Sequence, residues 1–199
     1  MRLSPQRHTE HRRHSHWVPL CKAAVVVNFK RKVKPLLHPN NRHLEAAQGW
    51  LGLGDVLEAN EELDQIALEF RAHPAVLWVR YQIYSKAKKW ELATEIAATL
   101  TEQLPNDPAF WISLAYATRR KTGGGIPEAK AILIKAKTLF PKHYLISYNL
   151  ACYECQLGNL KEAMEFLGAA IDLAGEKDIR TRALDDPDLE PLWAKISEI

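Results

Sequence analysis

The stretch "YNLACYECQLGNLKEA", Tyr148–Ala163, can be read in two ways. Cys152 and Cys155 stand three residues apart, a spacing found in redox and metal-binding pairs. Alternatively, the closing "GNLKEA" is one copy of a repeated unit, and the cysteines fall between its signature positions. The second reading extends along the chain. "GDVLEA" at 54–59, "KKWELA" at 88–93 and "GIPEA" at 125–129 end on an alanine in the same way. Ala59, Ala93, Ala129 and Ala163 are separated by 34, 36 and 34 residues. A fixed period of this length is the mark of a stacked repeat array.

Other positions keep the same step. Four residues after each alanine stand Leu63, Ala97, Leu133 and Leu167; seven after stand Ile66, Leu100, Ala136 and Ala170. Twelve after stand Arg71, Pro105, Pro141 and Gly175, so the later units end on a helix breaker. Upstream of each alanine runs a second helical pattern with the spacing W-x2-L-small. It reads Trp111, Leu114, Ala115 in the third unit, Ser147, Leu150, Ala151 in the fourth and His43, Ala46, Ala47 in the first. Trp50 and Tyr84 hold the aromatic position three residues beyond the small one in the first and second units. Each helix pair has an apolar stripe that it cannot bury alone, so neighbouring pairs stack on a shared core. "NDP" at 106–108 announces a helix start, with Asp as cap and Pro at the first helical position.

This pattern resembles the tetratricopeptide repeat (TPR), a 34-residue helix–turn–helix. The resemblance covers four units, 40–73, 74–107, 108–143 and 144–177. It departs in three places. Arg80 and Tyr81 stand where Leu and a small residue belong, the third unit gains two residues in "KTGGGIP", and the first lacks its terminal proline. The expected fold is all-α: an α-solenoid of antiparallel helix pairs in a right-handed TPR-like superhelix. Residues 178–199 are expected to cap it. Leu184, Leu189, Leu192, Trp193 and Ile196 supply the cap's inner face, and Asp188 with "LEPLW" reads as the start of a last amphipathic helix. The "DDPDLEPLW" wording also looks like the tail closing many bacterial TPR arrays.

The resemblance further implies that the first helix of each pair lines a concave groove that takes an extended peptide or a partner helix. The corresponding positions here are Leu44, Glu45 and Gln48; Trp78, Val79 and Gln82; Ile112, Ser113, Tyr116, Arg119 and Arg120; and Tyr148, Asn149 and Cys152. Among these, Trp78, Tyr116 and Tyr148 suit an anchor role, since aromatics with a polar handle dominate binding hot spots. Gln82 and Asn149 offer both donor and acceptor to a peptide backbone. Arg119 and Arg120 suit a carboxylate. TPR proteins that grip acidic chaperone tails use a Lys/Asn/Arg clamp; this chain has Asn149 but lacks the matching Lys and Asn in its first two units, so that ligand is not expected.

Catalytic signatures are missing from the sequence: there is no GxSxG, HExxH, phosphate loop or GxGxxG. Gly123–Gly125 is a connecting loop, because no Gly-Lys-Ser/Thr follows it. In the repeat register Cys152 and Cys155 fall late in a first helix, where the dipole disfavours a thiolate. Side chains at i and i+3 have Cβ atoms about 5–6 Å apart, wider than the ~3.5–4.5 Å of a disulfide. Zinc needs two further ligands, and no second CxxC exists. The pair therefore reads mainly as small apolar filler, with a thiol redox or metal-responsive protein as the alternative function.

Composition agrees with a globular chain: 47% of the 199 residues are apolar and 26% charged. No apolar run approaches the ~18 residues of a membrane span. Three cysteines without framework spacing point to a reducing compartment, hence a cytoplasmic location. The net charge of +3 is divided unevenly. Residues 1–39 hold nine Lys/Arg against Glu10 alone, a net +8, while the other 160 residues hold 18 basic and 23 acidic, a net −5. The head is expected to be disordered, with His8, His11, His14 and His16 as loose metal contacts at most. "KRKVK" at 30–34 offers a lesser route to nucleic acid or a membrane surface. A composition break near Asn40 leaves open a working protein that begins there. The expected function is a non-catalytic protein-interaction module without cofactor, metal or small-molecule substrate.

Overall fold

A computed structural model describes residues 33–198. The readings placed on His8, His11, His14, His16, Cys21 and Lys30–Lys32 lie outside them. Among the described residues ten α-helices follow in order: α1 (Asn40–Leu53), α2 (Val56–Asp64), α3 (Pro74–Lys86), α4 (Trp90–Gln103), α5 (Pro108–Thr118), α6 (Ile126–Leu139), α7 (Tyr144–Gln156), α8 (Leu160–Ala174), α9 (Glu176–Leu184) and α10 (Trp193–Ser197). No strand occurs among these residues. Helices α1 to α8 form four consecutive pairs, and each pair's second helix packs on the first helix of the next.

Local chemistry starts and stops the helices. Asp107 accepts from the backbone N–H of Ala109 (3.0 Å) with Pro108 behind it. Asp55 caps α2 by accepting from the N–H of Leu57 and of Glu58, each at 3.1 Å. Gly54 ends α1 in the left-handed region (φ 95°), which lets a tight turn lead directly into α2. The first unit has no terminal proline, and Arg71 closes it instead, donating to the carbonyls of Ile66 (3.0 Å) and Asp64.

The repeat step is a burial step. All four signature alanines, and Leu63, Ala97, Leu133 and Leu167 four residues on, are fully buried. So are Leu100, Ala136 and Ala170, with Ile66 nearly so. The departures in the second unit find partners outside it. Tyr81 is buried and its hydroxyl donates to the carbonyl of Ser113 (3.1 Å), tying α3 to α5. Arg80 reaches back to α2, donating to Asn60 (3.2 Å) and Asp64 (2.9 Å).

The C-terminal segment differs from the sequence expectation. The chain turns through α9, and residues Pro187–Leu192 form a 3₁₀ turn capped by Asp186, which accepts from the N–H of Asp188 (3.0 Å). Pro191 has no N–H to give to an α-helical ladder, so only the five residues of α10 are α-helical. The expected inner face is otherwise in place. Leu189, Leu192 and Ile196 are fully buried, and Leu184 and Trp193 pack against the same core as α7 and α8.

Candidate functional site

The candidate site is the row of first helices, α1, α3, α5 and α7. The structure divides it into two parts.

On α3, Trp78 is half-buried. Its ring stacks on Tyr81 (5.3 Å between centroids, 12° between planes) and meets the edge of Phe110 (5.6 Å, 69°). Among the described residues its indole N–H donates to no protein group. Gln82, one turn further on, is also half-buried. On α1, Glu45 and Gln48 are exposed and Leu44 is partly buried against the first-unit core. Val79, placed with Trp78 by the repeat register, is fully buried in that same core.

On α5 and α7 the side chains are engaged within the molecule. Tyr116 is buried, with the Arg120 guanidinium 3.6 Å above its ring centre and Trp90 edge-on at 5.8 Å. Arg120 also donates to the Tyr116 carbonyl (3.0 Å). Burial lowers the Arg120 pKa below its ordinary value. Arg119, at the end of α5, grips both carboxylate oxygens of Asp188 (2.5 and 3.1 Å) and lies 5.3 Å from the ring centre of Tyr153. Burial alone would lower the Arg119 pKa, but the hydrogen bonds to Asp188 outweigh it and hold the group above its usual value. Tyr148 is fully buried and its hydroxyl donates to Asp186 (3.0 Å). Asn149 is buried too, and its amide donates to the Leu145 carbonyl of its own helix (2.7 Å).

Of the six residues singled out, Arg119 and Tyr148 therefore converge on the C-terminal segment. Gln156 joins them, donating to the Asp188 carbonyl (3.0 Å). Trp78 and Gln82 lie apart from this cluster on α3, Tyr116 packs with Trp90 and Arg120, and Asn149 is satisfied locally. Sequence reasoning missed Asp186 and Asp188 as the partners of Tyr148 and Arg119. The only available signal was the Asp-Pro-Asp run itself, which reads equally well as a helix cap.

The thiols are closed in. Cys152 and Cys155 are buried and unbridged. Burial, with Asp186 and Asp188 nearby, pushes the Cys152 thiol well above its ordinary pKa, and burial also raises Cys155. Cys152 donates a long hydrogen bond (3.7 Å) to Asp186. The same burial raises the pKa of Asp186 and of the Tyr148 phenol. A protonated, enclosed thiol is a poor nucleophile and a poor metal ligand. Among the described residues no group of three His, Cys, Asp or Glu side chains is placed to hold a metal ion, and no helix is long and apolar enough to cross a membrane.

No protein-family model and no curated protein matches this sequence. Solved structures do match the architecture. The chain is similar to the MamA RS-1 ArsTM double mutant, with 18% identity over 70% of this chain and 78% of that one and a TM-score of 0.60. It is also similar to a thermophilic TPR protein of Thermus thermophilus, with 18% identity over 80% of this chain and 100% of that one and a TM-score of 0.59. Identity this low speaks to fold, and the fold is the one the 34-residue step implies. The chain is a helical repeat protein with a TPR-like α-solenoid architecture.

Proposed function

We propose that this chain is a non-catalytic interaction scaffold that binds a protein segment, an extended peptide or a partner helix, along its row of first helices. The four units 40–73, 74–107, 108–143 and 144–177 are the stacked modules of this scaffold. The observation that carries the reading is Trp78: a large aromatic, half-open to solvent, its ring held by Tyr81 and Phe110. A side chain already fixed in place loses little entropy on binding, and such aromatics make effective anchors. Gln82 stands one turn away with donor and acceptor to offer a peptide backbone. Tyr116 and Arg119 follow on the next first helix, α5, while Tyr148 and Asn149 on α7 are engaged within the molecule.

The test is affinity capture with the full chain, quantified by mass spectrometry, against Trp78→Ala and Gln82→Lys. Gln82→Lys leaves the aromatic packing alone and so separates lost contact from lost fold. Both variants are expected to lose the same specific partners while retaining helicity. Recovery of one identical set by all three proteins overturns the reading.

A further inference from the structure

Two basic runs, far apart in the sequence, meet at one edge of the stack. "KAKKWE" at 86–91 makes the turn between α3 and α4, and "RRKT" at 119–122 opens the loop between α5 and α6. Glu91 joins them, accepting at Oε1 from the Thr122 hydroxyl (2.7 Å) and from the Thr122 N–H (2.9 Å). The Arg120 guanidinium lies 3.6 Å from the ring centre of Tyr116 and 5.5 Å from that of Trp90, so it also pins the start of α4 to the end of α5. Lys86, Lys88 and Lys89 are exposed and Lys121 is half-buried. Among the described residues none of these four lysines enters an ion pair. Lys86 donates to the Leu51 carbonyl at the end of α1 (2.7 Å). Four ammonium groups thus share this edge with one carboxylate from the two runs, Glu91, whose Oε1 is already bonded.

The backbone at Lys88 adds a second observation. Lys88 stands five residues before its signature alanine, where the first and fourth units hold Gly54 (φ 95°) and Gly158 (φ 83°). It takes the same left-handed region, at φ 56°, and is the one non-glycine among the described residues to do so. A side chain there crowds the backbone, which glycine avoids. The chain thus gives up the easier turn residue and holds an ammonium group at this point, and strain of this kind gathers at functional positions. We propose that this edge, formed by Lys86, Lys88, Lys89 and Lys121, docks a short acidic segment of a protein partner. Charge complementarity selects that chemistry, and the neighbouring turns limit its length. The equivalent turn of the first unit carries Asp55 and Glu58, that of the fourth carries Lys161 and Glu162, and residues 40–199 together are net −5. A long polyanion such as a nucleic acid would run from the lysines onto like charge, whereas a few carboxylates fit within them. The edge lies beyond Trp78 and Gln82 and does not depend on the groove reading.

Fluorescence anisotropy of the full chain with a labelled oligoglutamate peptide tests this, at low and at physiological salt. The peptide is expected to bind, and to bind more weakly as salt rises. Lys88→Glu/Lys121→Glu is expected to weaken binding about tenfold. Lys88→Gly separates charge from fold: it is expected to keep or raise the Tm, because the turn is relieved, while weakening binding about twofold to threefold. Trp78→Ala is expected to leave peptide binding unchanged, so this edge and the groove reading stand or fall separately. An unsubstituted chain that fails to bind the peptide at low salt overturns the proposal. Equal binding by Lys88→Glu/Lys121→Glu also overturns it, since these lysines are then not what the peptide meets. Loss of the peptide in Trp78→Ala moves the contact to the groove, with the same consequence. A single-stranded oligonucleotide that binds more tightly than the peptide, and is lost in the same double variant, assigns the edge to nucleic acid and equally overturns the proposal.

Discussion

Helices α1 and α7 hold the same place in their pairs, yet eleven consecutive residues of α7, Leu145–Cys155, are buried, whereas α1 buries Asn40, Ala47 and Leu51. The composition of the two helices accounts for only part of this. Helix α7 is enclosed by the preceding pair, by α8 and by the C-terminal segment, which lays Asp186 and Asp188 across Tyr148, Cys152 and Arg119 and sinks Leu189, Leu192 and Ile196 into the core. Among the described helices, α1 packs on α2 and α3. Among the described residues the same repeat unit thus yields a sealed surface at one end and an open one at the other, because a solenoid unit's exposure is set by its neighbours. Positions made equivalent by register alone therefore lose their equivalence: among the described residues Trp78 stays half-exposed while Tyr148 is buried against the C-terminal segment.

The contrast between the two ends is most vulnerable at Leu189. Replacing it with Ala is expected to cost about 2–5 kcal/mol in urea unfolding, the range for a fully buried leucine. A loss below about 1 kcal/mol would show that the C-terminal segment is not part of the core. Next is the pair beneath it. Arg119→Ala leaves the Asp188 carboxylate with only its remaining contacts in a half-buried site and is expected to cost about 1–3 kcal/mol. A double-mutant cycle with Asp188→Ala should return a coupling of about 1 kcal/mol or more, and a coupling near zero would reduce the latch to coincidence.

A smaller effect concerns pH. Burial raises the Asp186 pKa above the ordinary 3.8, so the folded state holds this proton more tightly than the unfolded one. Its contribution to stability is then fully present below the unfolded value and lost as pH rises through the folded one. Unfolding free energies measured from pH 4 to 7 should therefore fall less steeply with rising pH, or rise more steeply, in Asp186→Asn than in the unsubstituted chain; the reverse difference would contradict the assignment. The smallest effect is expected at the open end. Leu68, 77% exposed beyond α2, should tolerate Ser within about 0.5 kcal/mol. A larger loss would mean that the first unit is covered where it is now described as open.

The core was legible because it depends on spacing. Ala59, Ala93, Ala129 and Ala163 announced their burial through a period that any reader of the chain can count, and Asp107–Pro108 announced its helix through adjacent residues. Arg80 and Tyr81 were legible only as departures; their partners, Asn60, Asp64 and the Ser113 carbonyl, lie 16 to 32 positions away. The cap was legible in its leucines and not in its aspartates. Apolar residues need only an apolar destination, whereas a carboxylate needs a particular donor, and Arg119 is 69 positions from Asp188.

That this protein stacks helix pairs at a 34-residue step, where those helices begin and which of their residues face inward are all written in the order of its amino acids, since each follows from local propensity and a short-range period. Which outward positions stay outward is settled in three dimensions. That choice belongs to the C-terminal segment's return across α5 and α7, a contact between distant parts of the chain whose geometry no local pattern encodes.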